Sequence, residues 1–148
     1  PLQMVRMYAA IANGGYLLRP QLVRERGILD QHTPVATRDV MKDTDISANT
    51  LRIIRQGMCD ATTTRAGTAT AAFSESPLLD IGVCGKTGTA QSPGENDEPH
   101  SWFIAYAPAD NPQIAIVTML ENAGEGSAVA APLTRRILEY YYFGPFDE

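Results

Sequence analysis

The spacing of apolar residues predicts three helices. From Pro1 to Asn13 they recur every three or four positions, the period of an amphipathic helix, and the glycines that follow end it. Ser47 is typical of a helix N-cap and predicts a second helix to about Ala61. A third runs from about Ser127 to Tyr142. The predicted buried sides are Leu2, Val5, Tyr8, Ala9 and Ala12 in the first helix, Leu51, Ile53, Ile54 and Met58 in the second, and Val129, Leu133, Ile137 and Tyr140 in the third.

Short apolar runs between the second and third helices predict strands. An apolar run from Leu78 to Cys84 reads as a buried strand, which continues into polar residues. We expect Ile81 to Ala90, Trp102 to Ala107 and Gln113 to Leu120 to form one antiparallel sheet in that order, because the connections are short. Helices with an antiparallel meander indicate an α+β fold.

The remaining segments are predicted to be peripheral. Residues 16–23 read as a short strand at the margin of the fold, and residues 24–45 as an exposed hairpin or loop with Gly27 and Pro34 as breakers. Residues 62–69 read as a small, polar turn, and residues 92–100 as a solvated acidic loop.

Length, composition and charge limit the classes of protein to which this chain can belong. The 148 residues suffice for one domain with a real core, and 44% apolar with 20% charged residues is ordinary for a soluble globular protein. A net charge of −5 gives no basic surface, so nucleic acid is not an expected partner. The chain opens inside a helical pattern at Pro1 without an initiator Met, which indicates a piece of a longer protein.

The cysteines and histidines give no metal pattern. Cys59 and Cys84 stand 25 residues apart, which is neither a metal-ligand nor a redox-pair spacing. Free, buried thiols are the favoured state and a disulfide the alternative, because disulfides depend on an oxidising compartment. His32 and His100 lack metal-like partners nearby in the sequence and are expected to be non-ligands. We expect no metal and no cofactor.

The chemistry is concentrated in Gly85-Lys86-Thr87-Gly88-Thr89-Ala90-Gln91. Lys86 offers a fixed positive charge, and Thr87 and Thr89 offer hydroxyl donors to an anion. Gly88 has no Cβ, so another backbone can lie against the strand. If this is an edge strand, its free N–H groups can bind an extended peptide as an added strand. An ordinary lysine on a surface strand is the plain alternative.

Lys-Thr-Gly is one of three signatures of penicillin-binding proteins and serine β-lactamases. Three flanking segments agree with it. The Pro1–Gly15 helix resembles the helix that follows the second motif of class B penicillin-binding proteins, and His100–Pro108 resembles the strand after their third motif. Residues 122–138 resemble the penicillin-binding protein 2 branch. The resemblance runs from residue 1 to about residue 142 and is weakest between residues 24 and 70.

The resemblance implies a β-lactamase-like fold, an antiparallel sheet flanked by helices, and a peptidoglycan D,D-transpeptidase. Such an enzyme attacks the D-Ala-D-Ala stem peptide with a serine, releases D-Ala and passes the acyl group to an amine of a second stem. β-Lactams acylate the same serine. The resemblance also implies a membrane-anchored parent whose domain lies on the outer face of the cytoplasmic membrane.

Positions of the motif carry roles from the family. Lys86 is implied to set the field around the nucleophile, and Thr87 to hydrogen-bond the terminal carboxylate of substrate or drug. Gly88 keeps the floor of the site open. The N–H of Thr89 is implied to be an oxyanion donor, with its hydroxyl also near the carboxylate. Lys86 and Thr89 are thus the expected catalytic residues, and residues 87–89 the expected substrate-binding residues.

Two departures from the family pattern concern its nucleophile motif and its second motif. No serine of the chain is followed by lysine three residues later, so the family's Ser-x-x-Lys nucleophile is expected upstream of Pro1. Ser47-Ala48-Asn49 spells Ser-x-Asn but follows the first helix, whereas the family's second motif precedes that helix, so we interpret Ser47 as a helix cap. Residues 1–148 are therefore expected to be the C-terminal half of the domain. Alone, they should be inactive, and their exposed apolar surface predicts dimerisation or domain swapping.

Two other functions stay open at this point. One is a serine β-lactamase or D,D-carboxypeptidase of the same fold, against which the Trp102 strand and the closing helix argue. The other is a non-catalytic β-lactam-binding or sensor domain. The sequence that precedes Pro1 in the gene separates all of these.

Overall fold

The computed structural model describes residues 1–28, 31–35, 39–92 and 98–145. In chain order the elements are α1 (Leu2–Ala12), β1 (Tyr16–Leu18), β2 (Glu25–Ile28), β3 (Gln31–Pro34), β4 (Val40–Asp43), α2 (Ala48–Thr63), α3 (Thr70–Phe73), α4 (Leu78–Ile81), β5 (Cys84–Ala90), β6 (His100–Ala107), β7 (Ile114–Leu120) and α5 (Ala130–Phe143).

A three-stranded antiparallel sheet, ordered β5-β6-β7, separates two helical layers. The pairing runs from Cys84 opposite Tyr106 to Ala90 opposite His100, and β7 continues it on the far side of β6. The predicted meander and its strand order are confirmed. The central strand β6 is buried on both faces, with Phe103 and Ala105 in the core under α5 and Tyr106 in a second core with α1 and α2.

The predicted start of the first core strand is wrong. Residues 78–81 form the short helix α4, and the strand begins only at Cys84. The N–H of Gly82 donates to the carbonyl of Leu78 and closes one helical turn, and Gly82 then takes φ +77°, a conformation that favours glycine. Leu78 is fully buried, as an apolar run predicts, but periodicity cannot separate a short buried helix from a buried strand.

The first two predicted helices are confirmed, but parts of both predicted buried sides are wrong, and in α1 the predicted Leu2 is 60% exposed. α1 ends at glycines with φ +93° and +104°, and Ser47 caps α2, which extends to Thr63. Leu51 and Met58 are buried in α2, whereas Ile53 and Ile54 are 56% and 37% exposed. The buried face follows the seven-residue step from Leu51 to Met58, and the two isoleucines lie beside that face.

The last helix buries a different face from the predicted one. Leu133, Ile137 and Tyr140 are 39%, 43% and 59% exposed. The buried residues of α5 are Ala130, Ala131, Thr134 and Leu138. Small side chains let the helix axis approach the sheet closely, and the Thr134 hydroxyl lies 2.6 Å from that of Thr118 on β7. The large apolar residues at positions 133, 137 and 140 therefore predict the wrong buried face for this helix.

The cysteines form a disulfide, so the favoured expectation of free thiols is wrong. Cys59 on α2 is bonded to Cys84, the first residue of β5. The Thr62 hydroxyl donates to the carbonyl of Val83 beside it, which fastens the last turns of α2 to the start of the strand. The contact is tertiary, because 25 residues separate the two cysteines, and their spacing in the sequence could not reveal it.

The segment before α2 forms two small antiparallel pairs. β1 pairs with β4, and β2 pairs with β3 as an exposed hairpin, which confirms the predicted marginal strand and hairpin. The marginal strand ends at Leu18 rather than continuing through residue 23. Of the predicted acidic loop, residues 93–97 lie outside the described residues.

We expect Ser47→Ala to lower the free energy of unfolding by about 1 kcal/mol. The Ser47 hydroxyl accepts a hydrogen bond from the N–H of Thr50 at 3.1 Å, and alanine leaves that N–H without its side-chain acceptor. Ser47→Asp keeps an acceptor and is the matched control. Urea unfolding of both variants checks the prediction, and equal stabilities of the alanine and aspartate variants would contradict it.

Candidate functional site

The predicted motif occupies most of β5, at the edge of the core sheet. Within the described part of the chain, β5 pairs with β6 along one side and with no strand along the other. Side chains alternate between the two faces of a strand. Lys86 and Gly88 therefore lie on the face toward α1, which they share with Cys84. Thr87 and Thr89 lie on the opposite face, toward α5, which they share with Gly85. A ligand lying along the free edge can therefore reach side chains of both faces.

A cavity of about 380 Å³ opens beside this strand. All five residues from Lys86 to Ala90 line it, so the structure brings together the four residues predicted as a site. Two side chains of α1, Met4 and Tyr8, and two of β6, Trp102 and Ile104, complete the wall. Burial raises the pKa of the Tyr8 phenol, so this group stays neutral and adds no negative charge near the lysine.

Among the described residues that line the cavity, Lys86 alone supplies an ammonium group. Its side chain is exposed, and Nζ donates to the carbonyl oxygen of Thr87 at 2.6 Å. No carboxylate of the described residues forms an ion pair with it. The charge is therefore held at the strand by one backbone acceptor and stays available to an anionic group.

The two threonine hydroxyls of the motif contact different loops. Thr87 Oγ1 lies 2.9 Å from Thr68 Oγ1, in the turn between α2 and α3. Thr89 Oγ1 lies 3.5 Å from the backbone N of Gly126, in the turn before α5. Both hydroxyls are thus supported by segments far away in the sequence.

Glycine is required where the turn before α5 crosses the strand. A Cβ on Gly126 would overlap the carbonyl oxygens of Trp102 and Gly88 and lie 3.0 Å from the N of Gly88. A Cβ on Gly88 itself would lie 3.2 Å from the Cβ of Trp102. Gly126 therefore lets the turn lie directly on the backbone of Gly88 and Trp102, and the missing Cβ of Gly88 leaves room beside the Trp102 side chain.

Several residues of the site carry no individual signal in the sequence, although Met4, Trp102 and Gly126 lie in segments that resemble the family. Thr68 and Gly126 belong to segments that read as plain turns, and Met4 reads as an ordinary helix residue. Trp102 was predicted as a strand residue, but its indole Nε1 is buried without a hydrogen-bond partner among the described residues. A donor in that state is costly unless a further group approaches it.

A larger cavity of about 630 Å³ lies beside α2, away from the motif. Arg55, one of two arginines that line it, donates to the carbonyl of Ala109 at 3.1 Å and lies 5.8 Å from the centroid of the Tyr106 ring. We place the functional site at the smaller cavity, because the larger one is lined by three carboxylates, which disfavour an anionic ligand, and by none of the motif residues.

The described residues carry neither a metal-binding cluster nor a helix able to span a membrane. Within them, no group of three or more His, Cys, Asp or Glu side chains is arranged to hold a metal ion. None of the helices described there has the length and apolar character needed to cross a bilayer.

Comparison with known proteins agrees with the geometry. Residues 1–139 match the Transpeptidase family, described as the penicillin binding protein transpeptidase domain. The chain is 34% identical over 95% of its length to the peptidoglycan D,D-transpeptidase MrdA of Haemophilus influenzae, of which it covers 23%. It is 30% identical over 91% of its length to the peptidoglycan D,D-transpeptidase PbpA of Mycolicibacterium smegmatis, of which it covers 28%. The chain thus spans about a quarter of the length of these relatives.

Solved structures give the same result for the fold. The crystal structure of Pseudomonas aeruginosa PBP2 superposes with a TM-score of 0.80 at 31% identity, covering 97% of this chain and 29% of that one. The imipenem acyl-enzyme of penicillin-binding protein A from M. tuberculosis gives a TM-score of 0.76 at 29% identity, covering 95% and 30% of the two chains. The predicted β-lactamase-like transpeptidase fold is confirmed, and the chain belongs to the family of penicillin-binding protein transpeptidase domains.

Proposed function

We propose that this chain is the C-terminal half of a peptidoglycan D,D-transpeptidase domain that also binds β-lactams. The observation that carries the proposal is the Lys86–Thr89 strand, which places an ammonium and two hydroxyls around one cavity and, within the described residues, has a free edge and no carboxylate paired with that ammonium. Family membership supports it, and so does the imipenem acyl-enzyme formed by the relative from M. tuberculosis.

The nucleophile is supplied by a segment outside this chain. No Ser-x-x-Lys occurs in residues 1–148. Ser101, on β6, is fully buried and engaged, because it donates to the carbonyl of Glu125 and accepts from the N–H of Ala130. Among the described residues no serine lines the cavity beside β5, so the candidate site there contains no acyl-accepting serine with a neighbouring base.

The proposed reaction uses the strand as a docking edge. A stem peptide ending in D-Ala-D-Ala lies along β5, with its terminal carboxylate at Thr87 and Thr89. The serine oxygen bonds to the penultimate carbonyl carbon, the amide bond breaks, and D-Ala leaves with the proton that the serine released. An amine of a second stem then displaces the serine and completes the cross-link.

The roles that we propose along the strand are mainly electrostatic. The N–H of Thr89 stabilises the oxyanion that forms during acyl transfer, and such a donor contributes about 3–4 kcal/mol to transition-state stabilisation. Lys86 favours the deprotonated, attacking form of the serine through its positive charge. Gly88 leaves the floor open to the peptide backbone.

The proposed partners and location follow from the same reading. The parent protein acts at the extracytoplasmic face of the cell membrane, to which a segment outside this chain anchors it, and its partners are the stem peptide and β-lactams. Dimerisation or domain swapping of the isolated chain stays a prediction.

Labelling with a fluorescent penicillin tests the proposal. We expect a covalent, stoichiometric label on a denaturing gel for the complete protein and none for residues 1–148 alone, because the serine lies outside this chain. Excess unlabelled penicillin is the competition control. A label on residues 1–148, or none on the folded complete protein, contradicts the proposal.

A second assay separates transpeptidation from mere drug binding. The complete protein, given a D-Ala-D-Ala stem peptide and an acceptor amine, should release D-Ala and form the cross-linked product. Release of D-Ala without cross-linked product indicates a carboxypeptidase, and stable labelling without any D-Ala release indicates a sensor domain.

A further inference from the structure

We infer that Thr68 is a positioning residue for Thr87. The Thr68 hydroxyl orients the Thr87 hydroxyl so that the single hydroxyl proton of Thr87 points to the carboxylate of the stem peptide or β-lactam. The inference rests on the proposed function. It starts from one contact, the 2.9 Å separation of the two Oγ1 atoms across 19 residues of sequence.

The turn that carries Thr68 is fixed on both sides of it. The N–H of Ala69 donates to the carbonyl of Ala61 at 2.8 Å, and Ala69 is only 1% exposed. The N–H of Gly67 donates to the carbonyl of Thr64 at 2.9 Å, and the Thr70 hydroxyl donates to that same carbonyl at 2.5 Å. Thr68 therefore stands between anchored neighbours.

A tight packing contact adds to this constraint. A Cβ on Gly67 would lie 2.5 Å from the carbonyl oxygen of Asp60 and 2.6 Å from that of Ala61, so only glycine fits against the end of α2. That end of α2 is itself fastened to the start of β5 by the Cys59–Cys84 disulfide. The turn and the strand thus form one rigid unit, with Thr68 and Thr87 facing each other.

The number of hydroxyl protons determines which threonine donates in the Thr68–Thr87 hydrogen bond. Each threonine hydroxyl has one proton, and a carboxylate can only accept. If Thr87 donates to a bound carboxylate, its oxygen is free to accept, and Thr68 must be the donor. The two O–H dipoles then align toward the carboxylate, and hydrogen bonds aligned in a chain strengthen one another.

The structural alternative makes a different prediction. If the Thr68–Thr87 bond only joins the turn to the strand, its loss affects stability and lowers reaction with every substrate alike. A positioning role instead requires that the loss depends on the substrate's carboxylate and disappears once Thr87 has no hydroxyl.

The experiment measures second-order acylation rate constants of the complete protein with a penicillin and with its methyl ester, which has no carboxylate. We expect Thr68→Val to slow reaction with the free acid about fivefold, the effect of one neutral hydrogen bond, and to leave reaction with the ester within about twofold. Thr68→Ser keeps the hydroxyl and should restore the rate with the acid. Thr63→Val, which removes an exposed hydroxyl bonded to the carbonyl of Cys59, is the matched control and should change neither rate.

A double mutant completes the test. Thr68→Val added to Thr87→Val should cause no further loss with the acid, since coupled residues are not additive. If Thr68→Val lowers the melting temperature, the acid-to-ester ratio still decides, because loss of folded protein lowers both rates equally. An unchanged acid rate, an equal loss with acid and ester, or losses that multiply in the double mutant would each overturn the inference. Failure of the unsubstituted protein to react with any penicillin would instead overturn the proposed function.

Discussion

Lys86→Ala is expected to slow acylation of the complete protein by penicillin about a hundred- to a thousandfold, the loss of about 3–4 kcal/mol of transition-state stabilisation. Among the described residues, the ammonium group is the only cation that lines the cavity, and it has no carboxylate partner there. Its removal takes away both the positive field that favours an attacking serine alkoxide and a hydrogen-bond donor.

The same substitution should change the free energy of unfolding by less than about 1 kcal/mol, as is usual for exposed positions. Lys86 is exposed, and its one hydrogen bond goes to the neighbouring carbonyl of Thr87. The sequence offers a matched control in Lys42, its only other lysine, which is exposed on β4 in a separate sheet.

Stopped-flow acylation and thermal melts of Lys86→Ala, Lys86→Arg and Lys42→Ala distinguish the possibilities. We expect arginine at position 86 to recover part of the rate, because it restores the charge without the compact ammonium. Lys42→Ala should react like the unsubstituted protein. A melting point that collapses for Lys86→Ala while its acylation rate stays unchanged would make the motif structural rather than functional.

Most of the fold could be predicted from local sequence patterns. α1 with its terminal glycines, the Ser47 cap and the β5-β6-β7 meander were predicted, because each depends on neighbouring residues or on short connections. The site strand was predicted in the same way, since its lysine, threonines and glycine are consecutive in the sequence.

The features that could not be predicted from the sequence depend on tertiary packing. On α5 the close approach to the sheet buries Ala130, Ala131 and Thr134 beside Leu138 and leaves Leu133 and Ile137 partly exposed, and no single-sequence periodicity signals that choice. The Cys59–Cys84 disulfide and the support of Thr87 by Thr68 join residues 25 and 19 positions apart. Such contacts exist only once α2 lies against β5.

Thr87→Val is expected to slow acylation by a penicillin about ten- to a hundredfold, with stability changed by less than about 1 kcal/mol. Valine has nearly the same shape as threonine, so the substitution removes only the hydroxyl. A carboxylate oxygen buried against the strand then loses a charge-assisted hydrogen bond worth about 1.5–3 kcal/mol, and the rate falls accordingly if that bond tightens in the transition state.

The controls for Thr87→Val use the chemistry of the hydroxyl. Thr87→Ser keeps the donor and should retain most of the rate, and the methyl ester of the penicillin should react with Thr87→Val almost as with the unsubstituted protein, because it lacks the charged acceptor. The loss with Thr87→Val should also exceed that with Thr68→Val, since in the proposed complex Thr87 touches the carboxylate and Thr68 acts only through Thr87. Equal rates for Thr87→Val and the unsubstituted protein with the free acid would show that the carboxylate is bound elsewhere, and that β5 positions the substrate through its backbone and Lys86 alone.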